Sequence, residues 1–165
     1  MTSSSSLKSA ALVTVTAAAT LLLIQACGDG AVAQATDVDP VEGAWEAVIT
    51  VRDCTTGATI LTERGQQVLH RGGTLNDTNA PPPTTRGVGF GTWRRDATVA
   101  GFTARFRFDR YNPDGSLAGT QRVTRAFTVS AGGNTQISTN NWQVLDAAGA
   151  VLQNTCAGDG STRVP

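Results

Sequence analysis

Gly43-Ala44-Trp45-Glu46-Ala47-Val48-Ile49-Thr50-Val51-Arg52-Asp53-Cys54 is the stretch that decides the fold. Trp45, Ala47, Ile49 and Val51 share one parity; Glu46, Thr50 and Arg52 share the other, with Val48 the exception. Successive side chains of a strand point to opposite faces, so this spacing predicts a strand over 44–53 with one buried face.

The same reading extends toward the C-terminus. Short apolar stretches separated by turn residues predict further strands at 66–71, 87–94, 102–111, 117–130, 135–145 and 150–156, with a short last one at 161–164. Thr55-Thr56-Gly57, Gly72-Gly73, Asn112-Pro113-Asp114-Gly115, Ala131-Gly132-Gly133-Asn134 and Asp146-Ala147-Ala148-Gly149 supply the turns, and Pro81-Pro82-Pro83 marks an open loop. Phe102, Ala104, Phe106 and Phe108 lie opposite Thr103, Arg105, Arg107 and Asp109, while Val123, Arg125, Phe127 and Val129 share a face. Ile137 is out of phase with Trp142 and Val144, which calls for a bulge near Thr139-Asn140-Asn141. Outside the leading segment no stretch carries a 3.6-residue apolar stripe. The expectation is an all-β, single antiparallel up-and-down barrel of about eight strands, since closure removes exposed edges.

The first 33 residues read as an export segment. Lys8 supplies a positive start, and Ala10 to Ile24 is an apolar run short for a bilayer span. Ala31-Val32-Ala33 is a small-x-small cleavage site, which gives a signal peptide over 1–33. Leu23-Ile24-Gln25-Ala26-Cys27 resembles a bacterial lipobox, which gives a lipoprotein signal over 1–26 with Cys27 lipidated. The organisation expected is therefore signal, a polar lead-in over 34–41, and a barrel over 42–165. The location expected is export to the periplasm or medium, or in the alternative anchorage to the outer membrane by lipid at Cys27.

Of the three cysteines, Cys54 and Cys156 fall in the barrel, and an oxidising compartment makes a disulfide their default state. It would close a loop of roughly 100 residues, on the order of 4–5 kcal/mol in the chain-entropy account. Cys54 and Cys156 end the first and a late strand, which neighbour each other if the sheet curls round; a sandwich would also bring them together.

Formal net charge is zero and no basic block stands out, so no electrostatic nucleic-acid binder is indicated. Lys8 is the single lysine among 13 basic residues. An arginine-only domain has two readings, anion recognition or a GC-rich genome, and the second is the commoner cause.

Gly43-x-Trp45 resembles the Gly-x-Trp signature of lipocalins and the wider calycin barrels. That resemblance implies that Trp45 plugs the closed end and that Arg163 packs across its indole. A second Gly-x-Trp occurs at Gly91-Thr92-Trp93, and the classical C-terminal helix and middle motif are missing. The chain is also similar to uncharacterised exported bacterial proteins in Arg52-Asp53-Cys54, in Gly91 to Arg95 and in the Asn112 to Gly115 turn.

Two readings of the interior follow. Phe102, Phe106, Phe108, Phe127 and Trp142, with Arg125 among them, would line a site for a small apolar or carboxylate-bearing ligand. Alternatively these aromatics fill the core, and Arg125 sits at a rim or pairs with Glu46 or Asp109. Gly87, Gly89 and Gly91 alternate, unlike a dinucleotide fingerprint, and would let an aromatic lie against the backbone. His70 is the only histidine and ends a strand at a turn; no catalytic residue, metal site or cofactor is indicated. The function expected is an exported non-enzymatic barrel, its partner a small apolar ligand and its membrane contact limited to the Cys27 lipid. A compact inhibitor or interaction module with a filled core, and a barrel isomerase of allene-oxide-cyclase or dirigent type using Asp109, Arg110 and Tyr111, are the alternatives.

Overall fold

Alternation governs the fold. In the computed structural model, which describes residues 38–79, 85–97 and 101–165, Trp45, Ala47, Ile49 and Val51 are buried and Glu46, Val48 and Arg52 are exposed. The expected export segment over 1–33, Cys27 and Pro81-Pro82-Pro83 lie outside the described residues. Among those residues eight strands form: β1 Gly43–Arg52, β2 Thr59–Leu69, β3 Thr74–Asn79, β4 Gly89–Arg95, β5 Phe102–Tyr111, β6 Leu117–Val129, β7 Thr135–Asp146 and β8 Val151–Arg163. Each pairs antiparallel with the next, and β8 pairs back onto β1, so the sheet closes as an up-and-down barrel. This architecture is consistent with a calycin-like fold.

The seam between β1 and β8 runs from Trp45 opposite Arg163 to Arg52 opposite Cys156. Cys54, just beyond β1, is disulfide-bonded to Cys156 across 102 residues of chain. Cys156 lies within β8 and not at a strand end, so the bond clasps the seam where β1 runs out.

The strands differ from expectation in four places. β2 begins at Thr59 and not at 66, because its largely exposed first half pairs with β1 as far as Arg52. β3 has no counterpart in the sequence pattern: Thr-Leu-Asn-Asp-Thr-Asn is rich in residues that strands disfavour, yet Leu75 and Asp77 both turn inward and are buried. The stretches 150–156 and 161–164 are one continuous strand, because Gly158-Asp159-Gly160 stays extended and directs Asp159 into the barrel. No bulge interrupts Thr139-Asn140-Asn141; β7 keeps register from Thr135 to Val144. Ile137 instead faces solvent, 71% exposed, and the inward positions of β7 are Gln136, Ser138 and Asn140.

Gly91 stands opposite Phe106, and a Cβ there would collide with the Phe106 Cβ and the Arg105 carbonyl. A methyl on Gly89 would likewise meet the Phe106 ring at 3.3 Å. These glycines let the aromatic of the neighbouring strand lie against bare backbone.

One end of the barrel is shut by the segment before β1. Val41 and Trp45 are almost wholly buried, and the indole N–H of Trp45 donates to the Val41 carbonyl at 2.9 Å. The Arg163 guanidinium lies 4.3 Å above the Trp45 ring and donates to the carbonyls of Glu42 and Gly133, each at 2.7 Å. Gly43 makes room for it: its φ is +130°, and a Cβ would lie 2.5 Å from Arg163 Nη1.

Two outcomes follow. Replacing Cys54 and Cys156 together by serine should lower unfolding stability by about 4 kcal/mol, the entropy of a loop near 100 residues, read by urea denaturation with and without reductant. Gly43→Ala should cost about 1–3 kcal/mol through its backbone conformation alone, with a shift in tryptophan emission as Arg163 leaves the Trp45 ring; an unchanged spectrum and midpoint would contradict this packing.

Candidate functional site

The barrel interior is the concave surface on which a site would be expected, so its contents decide what the fold can hold. Toward the closed end it is apolar: Phe102 stacks on Phe127 at 5.4 Å and meets Trp93 edge-on at 6.0 Å, with Leu69, Leu75 and Ala104 in the same cluster. β7 and β8 instead bring in polar side chains on the inward parity: Gln136, Ser138 and Asn140 from one, Thr155, Asp159 and Ser161 from the other, with Gln136 and Ser161 at the level of the closed end.

Arg125 sits at the centre of this arrangement, 1% exposed. Its guanidinium pairs with the Asp159 carboxylate at 2.7 Å and donates to Gln136 Oε1 at 3.1 Å and to Gln67 Oε1. The Phe127 ring lies 4.4 Å below it. Asp159 also accepts from Asn140 Nδ2 at 2.9 Å, Ser161 Oγ at 2.9 Å and Ser138 Oγ. The partner of Arg125 is thus Asp159, and neither Glu46 nor Asp109, which are exposed. Buried charges persist only when paired and hydrogen-bonded, and here both conditions hold.

A second ion pair continues the network. Gln67 Nε2 donates to Asp77 Oδ2 at 2.9 Å, and Asp77 pairs with Arg86. Arg86 arrives from the connection between β3 and β4, forms an isolated bridge with Arg110, and lays its guanidinium 3.6 Å over the Phe108 ring. Its side chain is 9% exposed. Arg86 therefore covers the open end much as Arg163 covers Trp45 at the other.

Between the two pairs remains a cavity of about 20 Å³, lined among others by Arg86, Phe106, Phe108, Arg125 and Trp142. That is room for about one water molecule. Arg86 Nε and Nη1, Arg125 Nε and Trp142 Nε1 are buried without a partner among the described residues, a set of donors that one water's oxygen could partly satisfy.

The six residues expected to line a ligand site all face inward. Phe106, Phe108, Arg125 and Trp142 border the small cavity, whereas Phe102 and Phe127 pack against each other nearer the closed end. At the open rim Asp109 is exposed and Arg110 and Tyr111 are half-buried. Their backbone is tied to the Thr85–Gly87 segment, with Tyr111 N–H donating to Thr85 and Gly87 N–H donating to Asp109. His70 is exposed and its ring is hydrogen-bonded to Asn76 at 2.8 Å. Sequence reasoning missed Asp159, Asp77, Arg86 and Gln67. The available signal was the run of small and polar residues on one parity, Thr155-x-Ala157-x-Asp159-x-Ser161, which can only be an inward face beside a buried polar group.

Comparison with protein-family models, with curated proteins and with solved structures finds no match.

The charged network has a pH signature. Burial pushes the Asp159 carboxyl up, but the Arg125 guanidinium and the hydrogen bonds from Ser138, Asn140 and Ser161 outweigh it and hold the group below the usual carboxylate value. Arg125 is pulled down by burial and held up by Asp159, and remains a cation throughout the accessible range. A lowered carboxylate pKa contributes stability that is present above the unfolded-state value, about 3.9, and is lost as pH falls through the folded-state value. Glu63, whose carboxyl burial raises despite Arg86, acts in the opposite sense. Asp159→Asn should therefore cost about 3–5 kcal/mol at pH 7 by leaving Arg125 without its counter-ion, and less at pH 3. Urea midpoints at the two pH values check this; an equal loss at both would contradict the assignment.

Proposed function

We propose that this protein is an exported, non-enzymatic interaction module: a calycin-like barrel whose interior is structural and whose partners are met from outside. The observation that carries the reading is the small size of the cavity between the two ion pairs, about 20 Å³. Sites that enclose small organic ligands are about 300–1,000 Å³, and a fatty acid could enter only by displacing Phe106, Phe108 and the Arg125–Asp159 pair. The two arginines that border the cavity already have carboxylate partners, Arg125 in Asp159 at 2.7 Å and Arg86 in Asp77. Support therefore goes to the filled core over the carrier. The isomerase alternative gains no support from Asp109, Arg110 and Tyr111: Asp109 is exposed, and the backbone of Asp109 and Tyr111 is hydrogen-bonded to the Thr85–Gly87 segment.

Export rests on the apolar run before residue 34 and on the Cys54–Cys156 disulfide, which is compatible with an oxidising compartment.

Titration with a fluorescent apolar acid such as cis-parinaric acid should give no saturable one-to-one signal, and Arg125→Met should leave that baseline where it is. Native mass spectrometry of the protein purified from its own host should return the mass of the disulfide-bonded polypeptide alone. Stoichiometric uptake of the probe, or a co-purifying small molecule, would return the interior to a binding role.

A further inference from the structure

The outer wall formed by β4, β5 and β6 is unusual in its charge. Asp109 is the only acidic residue in these three strands, against seven arginines. Three of the seven are engaged elsewhere: Arg95 with Asp39, Arg125 inside the barrel, and Arg110 at the rim beside Arg86. The other four, Arg94, Arg105, Arg107 and Arg122, are exposed on the outward parity and form no ion pair among the described residues.

Strand register sets these side chains in rows. Phe90, Arg107, Arg122 and Gln143 stand opposite one another across four strands. One step toward the closed end the row is Thr92, Arg105, Thr124 and Asn141. Arg94 begins the next, opposite Thr103. Residues directly opposite lie about 5 Å apart, and like charges in that relation destabilise a sheet. Arg107 opposite Arg122 is such a pair, with no acid interleaved.

Shallow hollows flank the rows. One, of about 270 Å³, is bordered by Thr92, Arg94, Thr103 and Arg105. The other, of about 460 Å³, is bordered by Arg122, Thr124, Asn141, Gln143 and Asn154. Phe90, 64% exposed, presents its ring at the end of the first row.

We infer that this wall binds an acidic polysaccharide, a chain of sugars bearing carboxylates. The inference rests on the reading of the barrel as a module that binds from its outside, and it names the face and the partner. The guanidiniums suit carboxylates, which they engage in two parallel hydrogen bonds. The threonines and amides between them match sugar hydroxyls, and the Phe90 ring offers an apolar platform for a sugar's C–H face. An open wall with shallow hollows fits an extended chain better than a compact molecule. A bilayer surface fits less well, because a membrane-binding face needs a broad apolar area and Phe90 is the only large apolar residue on these rows.

Isothermal titration with polygalacturonate at low salt should show binding to the full-length mature protein, with none to neutral dextran. Arg107→Ser/Arg122→Ser should weaken it at least tenfold, as should raising NaCl to half molar, while Phe90→Ala should weaken it with the salt dependence kept. The double arginine variant should melt no lower than the parent, since it relieves a repulsion. Absence of polygalacturonate binding, its persistence in the arginine variant, or tighter binding to single-stranded DNA or phosphatidylglycerol vesicles would overturn the proposal. Parinaric acid added to the same samples separates the two readings. No uptake of either compound removes the polysaccharide and leaves the filled module, whereas saturable uptake of the acid removes the module itself.

Discussion

An arginine at the centre of a barrel needs a counter-ion and hydrogen-bond acceptors around it, and the rest of this interior is organised around that demand. Arg125 takes its charge balance from Asp159 and its remaining contacts from Gln136, Gln67 and the Phe127 ring. Meeting them requires inward polar positions on β2, β7 and β8, and that requirement is why those strands lack the apolar alternation seen in β1 and β5. It also requires small residues beside the ion pair, since Ser138 and Ser161 both reach Asp159. A half-satisfied buried network is worse than an apolar core, so the inner face of β8 tolerates little change.

Arginine recurs wherever the barrel needs a flat, cationic cover over an aromatic. Arg163 lies on Trp45 at one end, Arg86 on Phe108 at the other, Arg125 on Phe127 between them. Lysine could not do this equally well, because only the planar guanidinium stacks on a ring while donating to carbonyls or carboxylates at its edge. The absence of lysine from the barrel sequence has at least this local physical correlate, whatever set the overall base composition.

The strands with clean alternation, those around Trp45–Val51 and Phe102–Phe108, were legible from the chain alone, as were the turns and the disulfide that clasps the barrel. What escaped was polar. Thr74–Asn79 carries two asparagines and an aspartate, and nothing local shows that Asp77 will meet Arg86. Val151–Arg163 looks broken at Gly158-Asp159-Gly160 because an inward aspartate is intelligible only with Arg125 opposite. Ile137 escapes for the same reason: hydrophobicity marks it for the inside, yet its polar neighbours Gln136 and Ser138 are the inward residues. Hydrophobic pattern marks a face that water must leave; it does not mark a face filled by ion pairs and amides, since those are recognisable only from contacts across the barrel.

The seam between β1 and β8 joins the first strand of the domain to the last. Every other pairing in the sheet is between sequence neighbours, each able to form as soon as its hairpin exists. Closure alone waits for the whole chain. Until β8 arrives, β1 has one bare edge, Trp45 has no arginine above it and Cys54 has no partner. Pairings between residues far apart in sequence are the slow ones, so folding of this barrel ends, in time as in space, at that seam. A chain translocated from its N-terminus would hold its first strand open until its last thirteen-residue strand emerged, and oxidation of the cysteine pair would then record that the circle had been completed.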